Sequence, residues 1–164
     1  MRRWVPIVLG LCILPGAGTW LSTTASPQGL HPAKVHVTGR IQVKTYVSKP
    51  YDEPPNGPKL VRVSVTEVFN GDIAGKGTVQ FLQAVRPDGS ASFVGLERVV
   101  GKVHGLSGSF ILQDAGTLKA KKVNGTWFVV PGSGTGQLKG LRGEGGFTAD
   151  LGQRAKITLD YWFE

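Results

Sequence analysis

Between positions 35 and 47 the chain alternates almost perfectly. Val35, Val37, Gly39, Ile41, Val43, Thr45 and Val47 fall on one side, and His36, Thr38, Arg40, Gln42, Lys44 and Tyr46 on the other. A period of two is the mark of a strand with one face in a core. A polar loop with four prolines, residues 49–59, follows; then residues 60–69 alternate again, with Val61, Val63, Val65 and Phe69 facing one way. Residues 77–86 and 90–100 flank Pro87-Asp88-Gly89, a strong turn signal, and predict a hairpin. Further strands are expected at 106–113, at 117–123 with Asn124-Gly125 turning the chain into 126–130, and at 134–138, 144–150 and 155–163. No segment carries a helical period. Nine or so short strands with brief turns predict an all-β fold, an antiparallel barrel or sandwich.

Glycine spacing favours the barrel. Gly132, Gly134 and Gly136 recur at every second position and, if extended, leave one face bare, so that a strand can bend or another backbone approach. They form no phosphate loop: the G-x-x-x-x-G-K-[ST] pattern is lacking and no helix follows. Across 164 residues, 40% hydrophobic and 18% charged content is ordinary, whereas 24 glycines is high and agrees with many tight turns.

The first residues read differently. Arg2 and Arg3 precede an apolar run, residues 4–21, and a small polar stretch ending at Ala25. That order predicts a secretory signal peptide over residues 1–25, a tether over 26–34 and a single barrel domain over 35–164. The competing expectation is an uncleaved membrane anchor formed by residues 4–21, which Pro6, Pro15 and several glycines weaken. The expected location is therefore periplasmic or extracellular, with membrane association only if that segment is retained. Cys12, the single cysteine, lies in the apolar run, so the processed chain would hold no thiol for disulfides, catalysis or metal.

Charge adds little. The chain is +8, and removal of Arg2 and Arg3 leaves +6, but the lysines are scattered rather than gathered into a basic stripe. A solvated surface, not nucleic-acid binding, is the expectation. His31, His36 and His104 have no metal-ligand spacing and no G-x-S-x-G elbow occurs, so neither a metal, a cofactor nor a hydrolase triad is expected. Asn124-Gly125-Thr126 is formally a glycosylation sequon, which a hairpin turn explains without sugar.

Two carboxylates draw attention. Glu67 shares a face with Val65 and Phe69, where burial would raise its pKa, although a place near the strand end would let it reach water. Glu97 lies between two apolar faces, Phe93, Gly95 and Val99 on one side and Val94, Leu96 and Val100 on the other, so periodicity does not place it. Tyr161, on the apolar face of 155–163, is expected inside the barrel with a hydroxyl that needs a partner.

The segments SFVGLERVVG (92–101), LSGSFILQDAGT (106–117), VVPGSGTGQLKGLRGEGGF (129–147) and TLDYWFE (158–164) resemble an uncharacterised bacterial family, domain of unknown function 3224. The likeness runs over essentially all of 35–164. It implies a compact eight-stranded barrel similar to that of allene oxide cyclase, whose interior holds a fatty-acid epoxide; none of that enzyme's active-site residues is assigned to a position here. Glu97 of the GLER motif and Arg142 and Glu144 match the family in place, while Asp114 stands where relatives frequently carry a histidine. Three functions remain open: a barrel binding a small apolar or amphipathic ligand, an interaction module with a filled core, and a cyclase- or isomerase-like enzyme. Glu97, Tyr161, Glu67, Arg142 and Glu144 are the candidate ligand-binding residues, and their convergence on one cavity would separate these readings.

Overall fold

The computed structural model describes residues 32–164; the expected signal peptide and most of the tether lie outside them. The eight strands of this region run β1 (Val35–Asp52), β2 (Lys59–Gly71), β3 (Ile73–Val85), β4 (Ala91–Val103), β5 (Leu106–Lys119), β6 (Lys122–Val129), β7 (Leu141–Asp150) and β8 (Ala155–Phe163). Each pairs antiparallel with the next, and β8 returns to β1, so the sheet closes as a barrel. Closure leaves no free edge around the waist and divides every strand into inward and outward residues.

One end of the barrel is packed solid. Phe69, Ile73, Val103, Phe110, Leu138 and Leu141, each at most 1% exposed, fill it beneath the β2–β3 and β4–β5 turns. Between β6 and β7 the chain does not form the strand expected at 134–138. It makes a loop with a single turn of 3-10 helix, Gly136–Leu138, that drops Leu138 into the core. The loop also seals the part of β5 that runs past the end of β6. The amides of Ser109 and Ile111 donate to Thr135 Oγ1 at 3.0 Å and Ser133 Oγ at 3.0 Å. The glycines here serve close approach: a Cβ on Gly134 would lie 1.9 Å from the Leu138 carbonyl oxygen.

The β5–β6 hairpin also differs from expectation. Its turn is Ala120-Lys121, with φ of 49° and 64°, and Asn124-Gly125 lies within β6, paired with Thr117 and Gly116. The expected strand 106–113 thus continues to 119, residues 122–123 join 126–129 in β6, and with 134–138 in a loop the ten expected segments become eight strands. Gly125 is needed for space, since a Cβ there would stand 2.3 Å from Cζ of Phe147. A second difference is in β1. The pairing with β2 shifts between Val43 and Thr45, a bulge that reverses the alternation. Tyr46 consequently turns toward Phe81, and Val47, expected on the Val43 face, is 51% exposed. Beyond Ile41, β1 no longer pairs with β8, which is why Pro50 is tolerated there without a lost ladder bond on that side.

Candidate functional site

The opposite end of the barrel is not filled. A cavity of about 840 Å3 opens there, from the β7–β8 turn at Leu151 and Gly152 down to Glu67, Glu97 and Asp114. Its existence follows from where large and small residues meet across strands. Phe93 faces Gly116, and Phe147 faces Gly125; a Cβ on Gly116 would be 2.4 Å from the Phe93 ring. Rings lie flat over neighbouring glycines instead of projecting into the middle, and the lumen stays open.

The rings form a continuous belt. Tyr46 meets Phe81 edge-on at 6.5 Å between centroids, Phe81 meets Phe93 at 5.4 Å, Phe93 stacks on Phe147 at 6.2 Å, and Phe147 meets Trp127 at 5.1 Å. Trp127 then reaches Phe69 at 6.4 Å, where the belt joins the solid core. Its indole N–H is satisfied, donating to the Thr158 carbonyl at 3.1 Å, so the ring is fixed in place.

Below the belt are three carboxyls from three strands: Glu67 (β2), Glu97 (β4) and Asp114 (β5), only 8%, 2% and 5% exposed. Glu67 sits mid-strand and inward, not at a strand end in water as the sequence allowed. Glu97 takes the face of Phe93 and Val99; Val94, Leu96 and Val100 on the other face are more than half exposed. Asp114 was not among the candidates from sequence. The signal was present, because Phe110, Leu112 and Asp114 alternate onto one face of β5.

The carboxyls of Glu67 and Glu97 are hydrogen-bonded to each other, which requires a shared proton. Burial pushes Glu97 far above the ordinary carboxyl range, reinforced by the charge of Glu67, so Glu97 is the protonated donor of the pair. Burial also raises Glu67, while the hydrogen bond from Glu97 opposes the rise. Asp114 is pushed up to about 7 by burial and then by the Glu67 charge. Glu97 Oε1 and Asp114 Oδ1 have no hydrogen-bond donor from the described residues. Leaving such atoms buried and unpaired costs about 1–3 kcal/mol each, more when charged. Among the described residues no group of three or more His, Cys, Asp or Glu side chains is placed to hold a metal ion.

The five candidates from sequence do not converge. Glu67 and Glu97 meet in the cavity. Tyr161 does point inward, but it belongs to the solid end, its hydroxyl 3.5 Å from His104 Nδ1 and its ring edge-on to Phe163. Arg142 and Glu144 lie on the outer face of β7: Arg142 pairs with Glu164 at 2.9 Å and Glu144 with Lys34. Glu144 also borders a shallower outer depression of about 540 Å3 with Gln113, Phe128 and Asp160.

Comparison with known proteins agrees with the barrel. No match to a curated protein was found. A crystal structure of a protein of unknown function from the DUF3224 family of Shewanella oneidensis MR-1 is similar, with 31% identity over 80% of this chain and 98% of that one, and a TM-score of 0.68. The sequence pattern of the same family, described as protein of unknown function, matches residues 37–161. An eight-stranded closed barrel matched over nearly its whole length in both sequence and shape places the chain in one family: it belongs to DUF3224.

Proposed function

We propose that this barrel binds a small amphipathic molecule inside its open end, and that the protein is exported. The observation that carries the first part is the cavity itself, about 840 Å3 walled by an aromatic belt and floored by buried carboxyls. Volumes of roughly 300–1,000 Å3 with a mostly apolar wall and a few converging polar groups are typical of small-molecule sites. A filled-core module would have no reason to seat three carboxyls where about 25 cal/mol per Å2 could be gained from apolar packing. Export rests on the arginine-led apolar segment before residue 26.

The test is titration of residues 26–164 with the neutral fluorophore N-phenyl-1-naphthylamine, in a Trp162→Phe background that leaves Trp127 as donor. Saturable one-to-one energy transfer is expected, and Ala149→Phe, which narrows the cavity wall without adding a second donor, should abolish it while circular dichroism stays unchanged. A wild-type titration without saturation would sink the reading.

One observation favours a second reading. Glu97 holds a proton beside an apolar cavity, the state a general acid needs to protonate a bound alkene, epoxide or enol. The transfer leaves the negative charge on Glu97 itself, and in an isomerisation the proton then lost from the neighbouring carbon of the ligand is taken up by Glu97 or by Glu67 beside it. An isomerase or cyclase of this kind would lose turnover in Glu97→Gln without losing affinity.

A further inference from the structure

The cavity differs from the rest of the molecule in charge. The whole chain is +8, yet of the charged residues lining the cavity four are acidic (Glu67, Glu97, Asp114 and Asp150) and one, Arg154, is basic. Three of the acids are at the floor and nearly inaccessible to solvent. Their mutual burial is compensated only in part: Glu97 and Glu67 share a hydrogen bond, but Glu97 Oε1 and Asp114 Oδ1 have no donor. Both atoms are covered from solvent, but their residues line the cavity, so a side-chain rotation would present them to a molecule inside it, which can supply what the protein does not.

The chemistry of that molecule is constrained from two sides. With Glu97 protonated, the negative charge of the floor is carried by Glu67 and Asp114, and unpaired acceptors beside it call for an N–H donor that carries positive charge, since charge-assisted bonds of this kind are roughly twice as strong as neutral ones. The wall above is made of ring faces and edges: Phe81, Phe93, Phe147 and Trp127. Such a wall accepts an apolar body, and its negative ring faces attract a cation as it passes. An anionic head would face unscreened repulsion from the floor, and a neutral head would leave the excess negative charge unpaired.

Resting on the reading of the barrel as a small-molecule binder, we propose that its ligand is a protonated amine on an apolar body, seated with its nitrogen among Glu67, Glu97 and Asp114 and its body against the aromatic belt. The positive exterior does not oppose this, because the carboxyls act at contact distance whereas surface charges are screened within about 8 Å at physiological salt.

The experiment is calorimetric titration with three probes that share one body: 4-phenylbutylamine, 4-phenylbutan-1-ol and 4-phenylbutyrate, at pH 7.5 and fixed salt. The amine should bind roughly tenfold or more tighter than the alcohol, and the carboxylate weakest. In the double variant Glu97→Gln/Asp114→Asn the amine's advantage should disappear while alcohol affinity persists, which also shows that the variant is folded. An alcohol bound as tightly as the amine, or a tighter carboxylate, overturns the cationic ligand and leaves the small-molecule reading standing. Binding by none of the three, together with no saturation by N-phenyl-1-naphthylamine, overturns both.

Discussion

Gly77 lies directly beneath the carboxyl of Glu97: a Cβ built on it would stand 1.9 Å from Glu97 Oε1 and 2.7 Å from Cε2 of Phe69. Gly77 is also the cross-strand partner of Glu67. One bare position on β3 therefore gives room to both members of the carboxyl pair.

Gly77→Ala is expected to destabilise the barrel by about 1–3 kcal/mol, as overpacking of a fixed site does. The Phe69 ring, wholly buried, resists displacement more than the Glu97 tip does. Removing the tip with Glu97→Ala should recover part of the loss, giving a non-zero coupling in a double-mutant cycle followed by urea denaturation. Strict additivity of the two changes would show that Gly77 does not hold the pair.

The buried acids set an unusual pH dependence. Asp114 is raised from 3.8 to about 7, so the folded chain keeps a proton that the unfolded chain releases between those values. Its contribution is complete below about pH 4 and is lost as pH climbs through about 7, a difference on the order of 4 kcal/mol. Glu97 and Glu67 are shifted in the same direction, and the remaining titratable or charged groups lining the cavity are Tyr46, Asp150 and Arg154. Thermal unfolding should therefore occur at a higher temperature at pH 5 than at pH 8. Asp114→Asn should flatten the profile and be more stable than wild type at pH 8; a variant less stable there, with the wild-type slope, would contradict this account.

The β5–β6 turn is improvable. Ala120 and Lys121 sit at positive φ, where residues with a Cβ are strained and Asn-Gly is at ease. Ala120→Asn/Lys121→Gly should stabilise the protein by about 1 kcal/mol. Gly125→Ala, in the pair that sequence reads as the turn, should instead destabilise it by about 1–3 kcal/mol through the Phe147 ring 2.3 Å away. Midpoints of urea unfolding decide, and a harmless Gly125→Ala would mean that Phe147 can move aside.

Tyr161→Phe should leave ligand affinity unchanged, since its hydroxyl faces His104 at the packed end. Phe93→Ala, which breaks the belt between Phe81 and Phe147, should weaken binding of N-phenyl-1-naphthylamine. The opposite order of effects in a fluorescence titration would move the site to the other end of the barrel.

The division between what sequence tells and what it withholds falls at particular residues. Alternation at 60–69 and 155–163 identified both strands and their inward faces, because a period of two needs only neighbouring residues to be visible. Pro87-Asp88-Gly89 marked its hairpin for a similar local reason: Asp88 accepts from the Ser90 amide at 2.9 Å and closes the turn itself. The family resemblance supplied the eight-stranded closure, where local pattern alone allowed a barrel or a sandwich of nine or so strands.

Asn124-Gly125 was misleading because glycine has two uses, positive φ and lack of a side chain, and only the ring of Phe147 on the next strand shows which applies. Glu97 had apolar residues on both sides, so its direction depended on barrel closure, which turned Phe93 and Val99 inward and left Val94, Leu96 and Val100 in water. The meeting of Glu67, Glu97 and Asp114 joins residues up to 47 positions apart on β2, β4 and β5. Sequence fixes which residues share a face of one strand. Which strands stand side by side, in what register and around what space, is decided by the closed sheet, since only closure determines which side chains meet across the lumen.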